Sequence, residues 1–434
     1  MNNFFRNSAF SFLNNILQLI ISLASGYLLA RYLGASGKGS AFLFSQIYGF
    51  IQIIFSFGFG PAVLYFLKEN KLRLEQINYF IIIYIFGLSL LFIVGFSIYS
   101  LDILHFVSGN LNTELLAIVV SIGWINIFSG LLGYKIQRKE SGLVYLSVAN
   151  FISNLFYIIA LIYTLIYQRF GLEGFAYSLL LGAFVKLIII LWEDGRNNLA
   201  FGKFSFKDFS VFAKYGFYIF LSNFFLTGVF RFDTFFINQN LDSAQLGLYS
   251  VSVNVGELIL LLPSAIGIAL FPHMSGLNRY DKTKIMCLMG RISFLLGLIG
   301  IFILSLIGRT FINVVFGKLF NESFVPLLLL LPGLLAMTIN FSYSNYFNSI
   351  GKPIVNAFIF LFGSLINILL LLIFLPNYGI YGAAISSSMT YIFISFLFIV
   401  KISRMDSIKI SEFLLPKKED IGLIIRTCTQ FLNR

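Results

Sequence analysis

The chain predicts an all-α integral membrane protein, with twelve transmembrane helices in two six-helix bundles. Three observations predict it. Of its 434 residues, 58% are hydrophobic and only 11% charged, with a mean hydropathy of +0.90, a composition outside the range of soluble domains. Apolar stretches of the roughly 20 residues that a helix needs to cross a bilayer recur along the whole length. Short glycine motifs also repeat six stretches apart. The stretches rarely alternate with period two, which excludes a lipid-facing β-barrel.

In order, the spans lie near 8–31, 40–67, 77–100, 114–135, 142–167, 172–192, 214–238, 245–274, 284–307, 324–349, 354–375 and 380–401. Short charged or Gly-rich loops bound them. Spans one and two are joined by LGASGKGSAF, Leu33 to Phe42. This lacks the spacing of a phosphate loop and follows a membrane helix, so it reads as an outer turn. Pro263 interrupts span eight, and Pro326 and Pro332 interrupt span ten, each a candidate kink because proline removes a backbone donor. No loop reaches domain size; the longest lie near 193–213 and 308–323. The N-terminal MNNFFRNSAFSFLNN has no basic cluster followed by a small-residue cleavage site, so span one itself is expected to direct insertion.

Charge sets the orientation. With the N-terminus inside, twenty-three of the thirty Lys and Arg residues fall on the inner side and five on the outer. This positive-inside bias places both termini in the cytoplasm. The net charge of +12 therefore reports topology and anionic lipid rather than nucleic acid. Cys287 and Cys428 are scattered, and His105 and His273 sit at distant span ends. No metal site, cofactor, catalytic group or enzyme activity is expected from them.

Gly171 to Ser178 and Gly379 to Ser386 both read G-hydrophobic-x-G-x-A-x-S, 208 residues apart. The turns Leu33 to Gly39 and Leu241 to Gly247 share that offset. Duplication of a six-helix unit follows, with both halves in one orientation and a binding site at their interface. The expected organisation is an N-terminal lobe over 1–210, a C-terminal lobe over 211–402 and a basic cytoplasmic tail over 403–434, part of which reads as a helix on the inner leaflet.

Asp233, Glu257, Lys186 and Arg231 lie deep within apolar spans; the other ionisable residues can be placed in loops, tails or helix ends, and the first half holds no deep carboxylate. A charge inside a bilayer is costly and marks a pathway for something polar. Polar residues also form helical stripes: Asn223, Thr227 and Arg231 in span seven; Ser250, Asn254 and Glu257 in span eight; Asn14, Gln18, Ser22 and Ser25 in span one. These predict the wall of a hydrated cavity, whereas isolated Asn residues such as Asn340, Asn345, Asn356 and Asn367 read as interhelical glue. Arg231 and Asp233 point about 200° apart on a regular helix. Arg231 is expected to face the cavity, the alternative being a snorkel to the outer headgroups, and Asp233 to brace a neighbouring helix. Glu257 is either a partner for Arg231 or a protonatable coupling group. Lys186, near Glu193 and Asp194, either snorkels or joins the wall. The candidate substrate-binding residues are Arg231, Asn223, Thr227, Asn254, Gln18, Asn14 and Lys186, with Glu257 and Asp233 in coupling or structural roles.

With twelve spans, a 6+6 repeat and charged stripes, the chain resembles bacterial polysaccharide flippases of the O-antigen type, in the multidrug/oligosaccharidyl-lipid/polysaccharide flippase superfamily. The stretches that carry the resemblance are Gly26 to Phe42, Phe230 to Ser275, which pairs Arg231-x-Asp233 with Gly247-Leu-Tyr-Ser and Glu257, and Ser349 to Ser388. The resemblance implies a MATE-like fold and a flippase for undecaprenyl-diphosphate-linked oligosaccharide in the bacterial cytoplasmic (inner) membrane. It also implies alternating access and a role in O-antigen, lipopolysaccharide or capsule assembly. Arg231 matches the basic residue expected in a cationic cavity. H+ or Na+ is the candidate coupling ion, and other polysaccharide assembly proteins are candidate partners. The alternative is a multidrug–cation antiporter of the same superfamily, which wants acidic cavity residues. The chain lacks the two extra helices of lipid II flippases.

Overall fold

The structure is a computed structural model that describes residues 2–68, 71–98, 113–139, 141–195, 205–264, 278–350 and 352–406. Side chains are described from Leu17 onward, except at 68, 92–98, 113 and 116. His105, His273 and most of the tail expected over 403–434 lie outside the described residues. No strand occurs among them, as a bilayer demands of a chain whose backbone groups must be satisfied within each segment.

Among the described residues, ten helices are long and apolar enough to cross a membrane, and two of these are double. Asn2–Ser56 would be about 80 Å long if straight, nearly three hydrocarbon thicknesses. Its backbone breaks at Gly34, where φ is 68° and ψ −166°, a conformation that costs glycine little. Ile354–Asp406 breaks likewise at Gly379, with φ 55° and ψ −137°. Residues nearly equidistant from Gly379 then meet. Asn367 Nδ2 donates to Thr390 Oγ1 at 3.3 Å, and a Cβ built on Gly363 would lie 2.5 Å from Ile394. The long helix is therefore a hairpin, spans eleven and twelve. Asn2–Ser56 gives spans one and two, and span two resumes in Phe59–Lys68. Leu74–Ile98, Thr113–Ile136, Gly142–Ile162 and Gly171–Gly195 are spans three to six. Phe206–Asn240, Ser243–Gly256, Arg279–Val315 and Phe324–Ser349 form spans seven to ten.

The repeated motifs fold alike. Gly171 and Gly379 both take positive φ, 63° and 55°. Three residues on, Gly174 and Gly382 are both crowded: an added Cβ would lie 2.9 Å from Thr164 Cβ and 2.2 Å from the Phe374 carbonyl. Four further on, Ser178 and Ser386 donate back to those glycines' carbonyls at 2.6 and 2.8 Å. The other repeated pair is in mutual contact. A Cβ on Gly39 would meet the Ser243 carbonyl oxygen at 1.9 Å, and one on Gly247 would meet that of Ala35 at 1.9 Å. Ala35 and Ser243 are themselves 208 residues apart, so the contact is reciprocal.

The chain forms two compact units, Met1–Thr227 with Asn238–Gly247, and Gly228–Ile237 with Leu248–Arg434. The first is knit by aromatic rings around Phe59, Phe66, Phe80 and Phe212. Tyr65 stacks on Tyr215 at 4.4 Å and Phe57 on Phe220 at 5.5 Å. In the second, the small residues Gly382, Ala383, Ala384 and Ser386 to Ser388 make a buried stretch of span twelve, which lets backbones approach closely. A Cβ on Gly333 would lie 2.4 Å from Ser388 Cα. Beside Pro332, the Gly333 N–H donates to Ser388 Oγ at 2.8 Å, so the interruption is stitched across helices. Pro326 corrects the expectation of a second kink. It falls in the first turn of Phe324–Ser349, where an N–H has no intrahelical partner to lose.

At the end of span twelve, Asp406 takes Arg279 Nε at 2.7 Å and the Tyr346 hydroxyl at 2.5 Å. Nearby, Lys282 Nζ donates to the Ser349 carbonyl at 2.9 Å. These bonds tie the ends of spans nine, ten and twelve.

Candidate functional site

Span seven is regular α-helix through Phe206–Asn240, so Arg231 and Asp233 leave it in different directions. Asp233 is 1% exposed. Its Oδ2 accepts from Tyr249 of span eight at 2.5 Å and Ser387 of span twelve at 3.0 Å. Its Oδ1 accepts the Thr234 N–H at 2.7 Å. The carboxylate thus ties three spans of the second unit together.

Arg231 meets Glu257. Nη1 donates to Oε1 at 2.8 Å and Nη2 to Oε2 at 2.9 Å, a bidentate, end-on pair of the strong charge-assisted kind. The two side chains keep 20% and 25% of their surface open. Arg231 Nε–H has no acceptor among the described residues, so one edge of the guanidinium is unengaged. Glu257 opens a 3₁₀ turn, Glu257–Leu260. Pro263, still on this span, cannot donate to the Ile259 carbonyl and its ring crowds it. The tightened turn lies where that hydrogen bond is lost. The ring of Tyr391 packs against Phe230 at 5.3 Å. Its hydroxyl feels the charges of Arg231, Glu257 and Asp233.

The polar residues of the spans separate into two groups. Asn356 Nδ2 bonds the Ser344 carbonyl and Asn348 Oδ1, both at 3.0 Å. Asn367 bonds Thr390, and Asn345 the Phe341 carbonyl. By contrast, the side chains of Asn223, Thr227, Asn254 and Gln18 have no hydrogen-bond partner among the described residues. All four are at least partly open. Ser250 is buried, and Ser25 meets the Tyr157 hydroxyl at 2.5 Å. Lys186 is half-buried and makes no ion pair among the described residues. Gln18, Lys186, Asn223 and Thr227 belong to the first unit and Arg231, Asn254 and Glu257 to the second; the side chain of Asn14 lies outside the described residues.

In the first unit the carboxylate Asp194 lies at a helix end, as the sequence places it, but is sealed from solvent together with a lysine. Lys135 and Asp194 are each 4% exposed. Lys135 Nζ lies 2.5 and 2.7 Å from the two carboxylate oxygens and donates to Asn78 Oδ1 at 2.9 Å. In the bend just past the helix end, Lys139 pairs with Glu193 at 2.8 Å. A cavity of about 190 Å³ lies beside the inner pair, walled by Ile81, Ile82, Phe128, Leu132 and Leu191. Lys38 and Arg291, expected at span ends, are likewise buried. A usable signal was there: Lys135 and Lys139 are four apart, and Glu193 and Asp194 are adjacent. Placement at helix ends made them read as solvated.

No group of three or more His, Cys, Asp and Glu side chains that could hold a metal occurs among the described residues. Comparison with known proteins agrees with a membrane carrier. The sequence profile of a family described as "Polysaccharide biosynthesis protein" matches residues 4–278. A relative described as a probable low-salt glycan biosynthesis flippase, Agl15 of Haloferax volcanii, is 22% identical over 392 residues, 89% of this chain and 80% of its own. The fold is shared with the lipid II flippase MurJ in an inward closed conformation (TM-score 0.73, 17% identity, 99% of this chain and 93% of that one). It is also shared with the Vibrio cholerae MATE transporter VcmN in its bent form (TM-score 0.65, 13% identity, 95% and 98%). With more than half its length matched, this chain belongs to the polysaccharide biosynthesis protein family.

Proposed function

We propose that this protein carries a lipid-diphosphate-linked oligosaccharide from the inner to the outer leaflet by alternating access, acting as a carrier rather than a catalyst. The observation that carries the reading is the edge of Arg231 that is unengaged among the described residues, on the same helix as Thr227 and Asn223, which have no partner among them either. A guanidinium in low dielectric suits a phosphate, which it can take bidentately. Side-chain amides and hydroxyls without partners suit a sugar's hydroxyl groups. Asn254 lies one turn before Glu257 and serves the same purpose from span eight. Gln18, Asn14 and Lys186, in the N-terminal lobe, are proposed as further substrate-binding residues.

In this reading the lobes 1–210 and 211–402 move against each other, and the tail 403–434 stays in the cytoplasm with the N-terminus. Undecaprenyl diphosphate is the proposed carrier lipid, and the bacterial cytoplasmic membrane the location. Surface polysaccharide such as O-antigen or capsule is the product served, alongside other assembly proteins. The isoprenoid tail remains in hydrocarbon while the headgroup, costly to bury unpaired, crosses through polar side chains. Family membership and the likeness to a glycan flippase support the reading. The test is deletion of the gene. Surface polysaccharide should be lost while its lipid-linked unit accumulates on the inner leaflet. Unchanged polysaccharide together with heightened sensitivity to cationic dyes would point to drug export instead.

A further inference from the structure

The cavity beside Lys135 and Asp194 is polar at one end and open along one edge. Spans three, four and six enclose about 190 Å³ there. Ile82 and Leu191, which wall it, are 50% and 41% exposed, so it opens onto the surface that faces lipid. Asn78, Lys135 and Asp194 each lie within about one turn of an end of their span and mark the polar end. Phe128, another wall residue, lies seven residues deeper on span four, about 10 Å along its axis. Trp192 of span six is 68% exposed, and amphipathic rings of this kind sit at headgroup level. The cavity therefore runs from headgroup depth into hydrocarbon, along the line that a lipid chain takes.

Water suits this space poorly, because a buried water needs roughly two to four polar partners. Lys135 Nζ is engaged by Asp194 and Asn78, and most of the wall is apolar. Left empty, that wall would forgo its dispersion contacts. A helix of a partner protein, about 10 Å across, is too wide to enter. A single hydrocarbon chain has the right width and is the solvent at that depth. The rim selects the headgroup. Lys135 pairs with Asp194 and Lys139 with Glu193. Arg138, exposed in the turn after span four, makes no ion pair among the described residues. The charges of Glu140 and Arg196, next along the chain at the two span ends, cancel, so one positive charge is left over. A guanidinium at headgroup level suits a phosphate. We propose that one acyl chain of an anionic phospholipid fills this cavity, with its phosphate against Arg138, and that the chain seals the Lys135–Asp194 pair from water. In the proposed topology the lipid belongs to the inner leaflet.

The chain has two tryptophans, and Trp124 stands at the deep end, its ring 5.7 Å from that of Phe128. In full-length Trp192→Phe it reports alone. This protein is placed in dioleoylphosphatidylcholine vesicles with rising fractions of phosphatidylglycerol or phosphatidylcholine carrying dibrominated chains, and quenching of Trp124 is read. Half-maximal quenching should need about fivefold less phosphatidylglycerol, the worth of one basic residue facing an anionic lipid. Arg138→Gln should erase that preference and leave the phosphatidylcholine curve in place. Ile82→Phe, which fills the open edge, should weaken quenching by both lipids. Equal curves for the two lipids before any further substitution overturn the anionic site, and that comparison decides even if Ile82→Phe does not fold. Quenching unchanged in a folded Ile82→Phe protein overturns occupancy of the cavity by a chain. Relief of quenching by unbrominated undecaprenyl phosphate at lower fractions than by unbrominated phosphatidylglycerol also overturns the proposal, since the cavity would then hold a polyprenyl chain.

Discussion

Asp233 and Arg231 stand two residues apart and face different chemistry. Asp233 is closed in by three donors, so its loss should act on folding. Asp233→Ala leaves Tyr249 and Ser387 without an acceptor, at a cost of about 1–3 kcal/mol each for a buried orphan. Thermal unfolding in detergent should fall markedly, and Asp233→Asn, which keeps an acceptor oxygen, should fall less. Arg231→Ala should abolish complementation of a deletion strain, with Arg231→Lys partly active because it keeps the charge but not the fork. The Ala variant also strands Glu257. Arg231→Ala with Glu257→Ala should therefore recover abundance without recovering transport; recovered transport would remove Arg231 from the binding role. Both side chains were legible from periodicity and from the rarity of charge in apolar spans. Lys135 and Asp194 were not, because a charge near a helix end is ordinarily solvated, and only packing reveals that these two are sealed. Asp194→Ala should cost about 3–5 kcal/mol by leaving a buried ammonium unpaired, measurable as a lowered unfolding midpoint.

Glycine placement governs how the spans turn and touch. The G-x-x-G-x-A-x-S octets announced a repeat in the sequence. Their geometry explains the spelling: a left-handed residue, a backbone approach, then a serine that bonds back. Gly379→Ala should lower stability by about 1–2 kcal/mol through the left-handed conformation alone. Gly247→Ala should do more, because its Cβ would sit 1.9 Å from the Ala35 carbonyl oxygen and two backbones would have to part. Gly49→Ala is the internal control. It lies in helix with nothing within 4 Å of an added Cβ, so it should be neutral or slightly stabilising. Equal losses for all three in a thermal shift assay would contradict this ordering. The 3₁₀ turn at Glu257 was not legible. Pro263 signalled a disturbance in span eight, but whether it appears as a kink or as a tightened turn depends on neighbours that no local pattern names.

Span number was legible from hydropathy, a sum over many residues and hence robust to local detail, and the distribution of Lys and Arg is the basis of the proposed orientation. Orientation is open to direct measurement. In a Cys287→Ser, Cys428→Ser background, Arg169→Cys should react with a membrane-impermeant maleimide from outside intact cells. Arg138→Cys should react only after permeabilisation; the reverse pattern would invert the topology. Both positions are exposed. What no sum reveals is that the middle of span seven, Gly228–Ile237, packs with one unit while the segments on either side pack with the other. That depends on long-range contacts, and it is why the neighbours of Arg231 could be named only as alternatives in advance. The tie at Asp406 carries a practical corollary. A shortened version for crystallisation that stops before Asp406 would strip Arg279 and Tyr346 of their shared anchor, so the last permissible truncation point is set by that carboxylate and not by the hydrophobic edge of the final span.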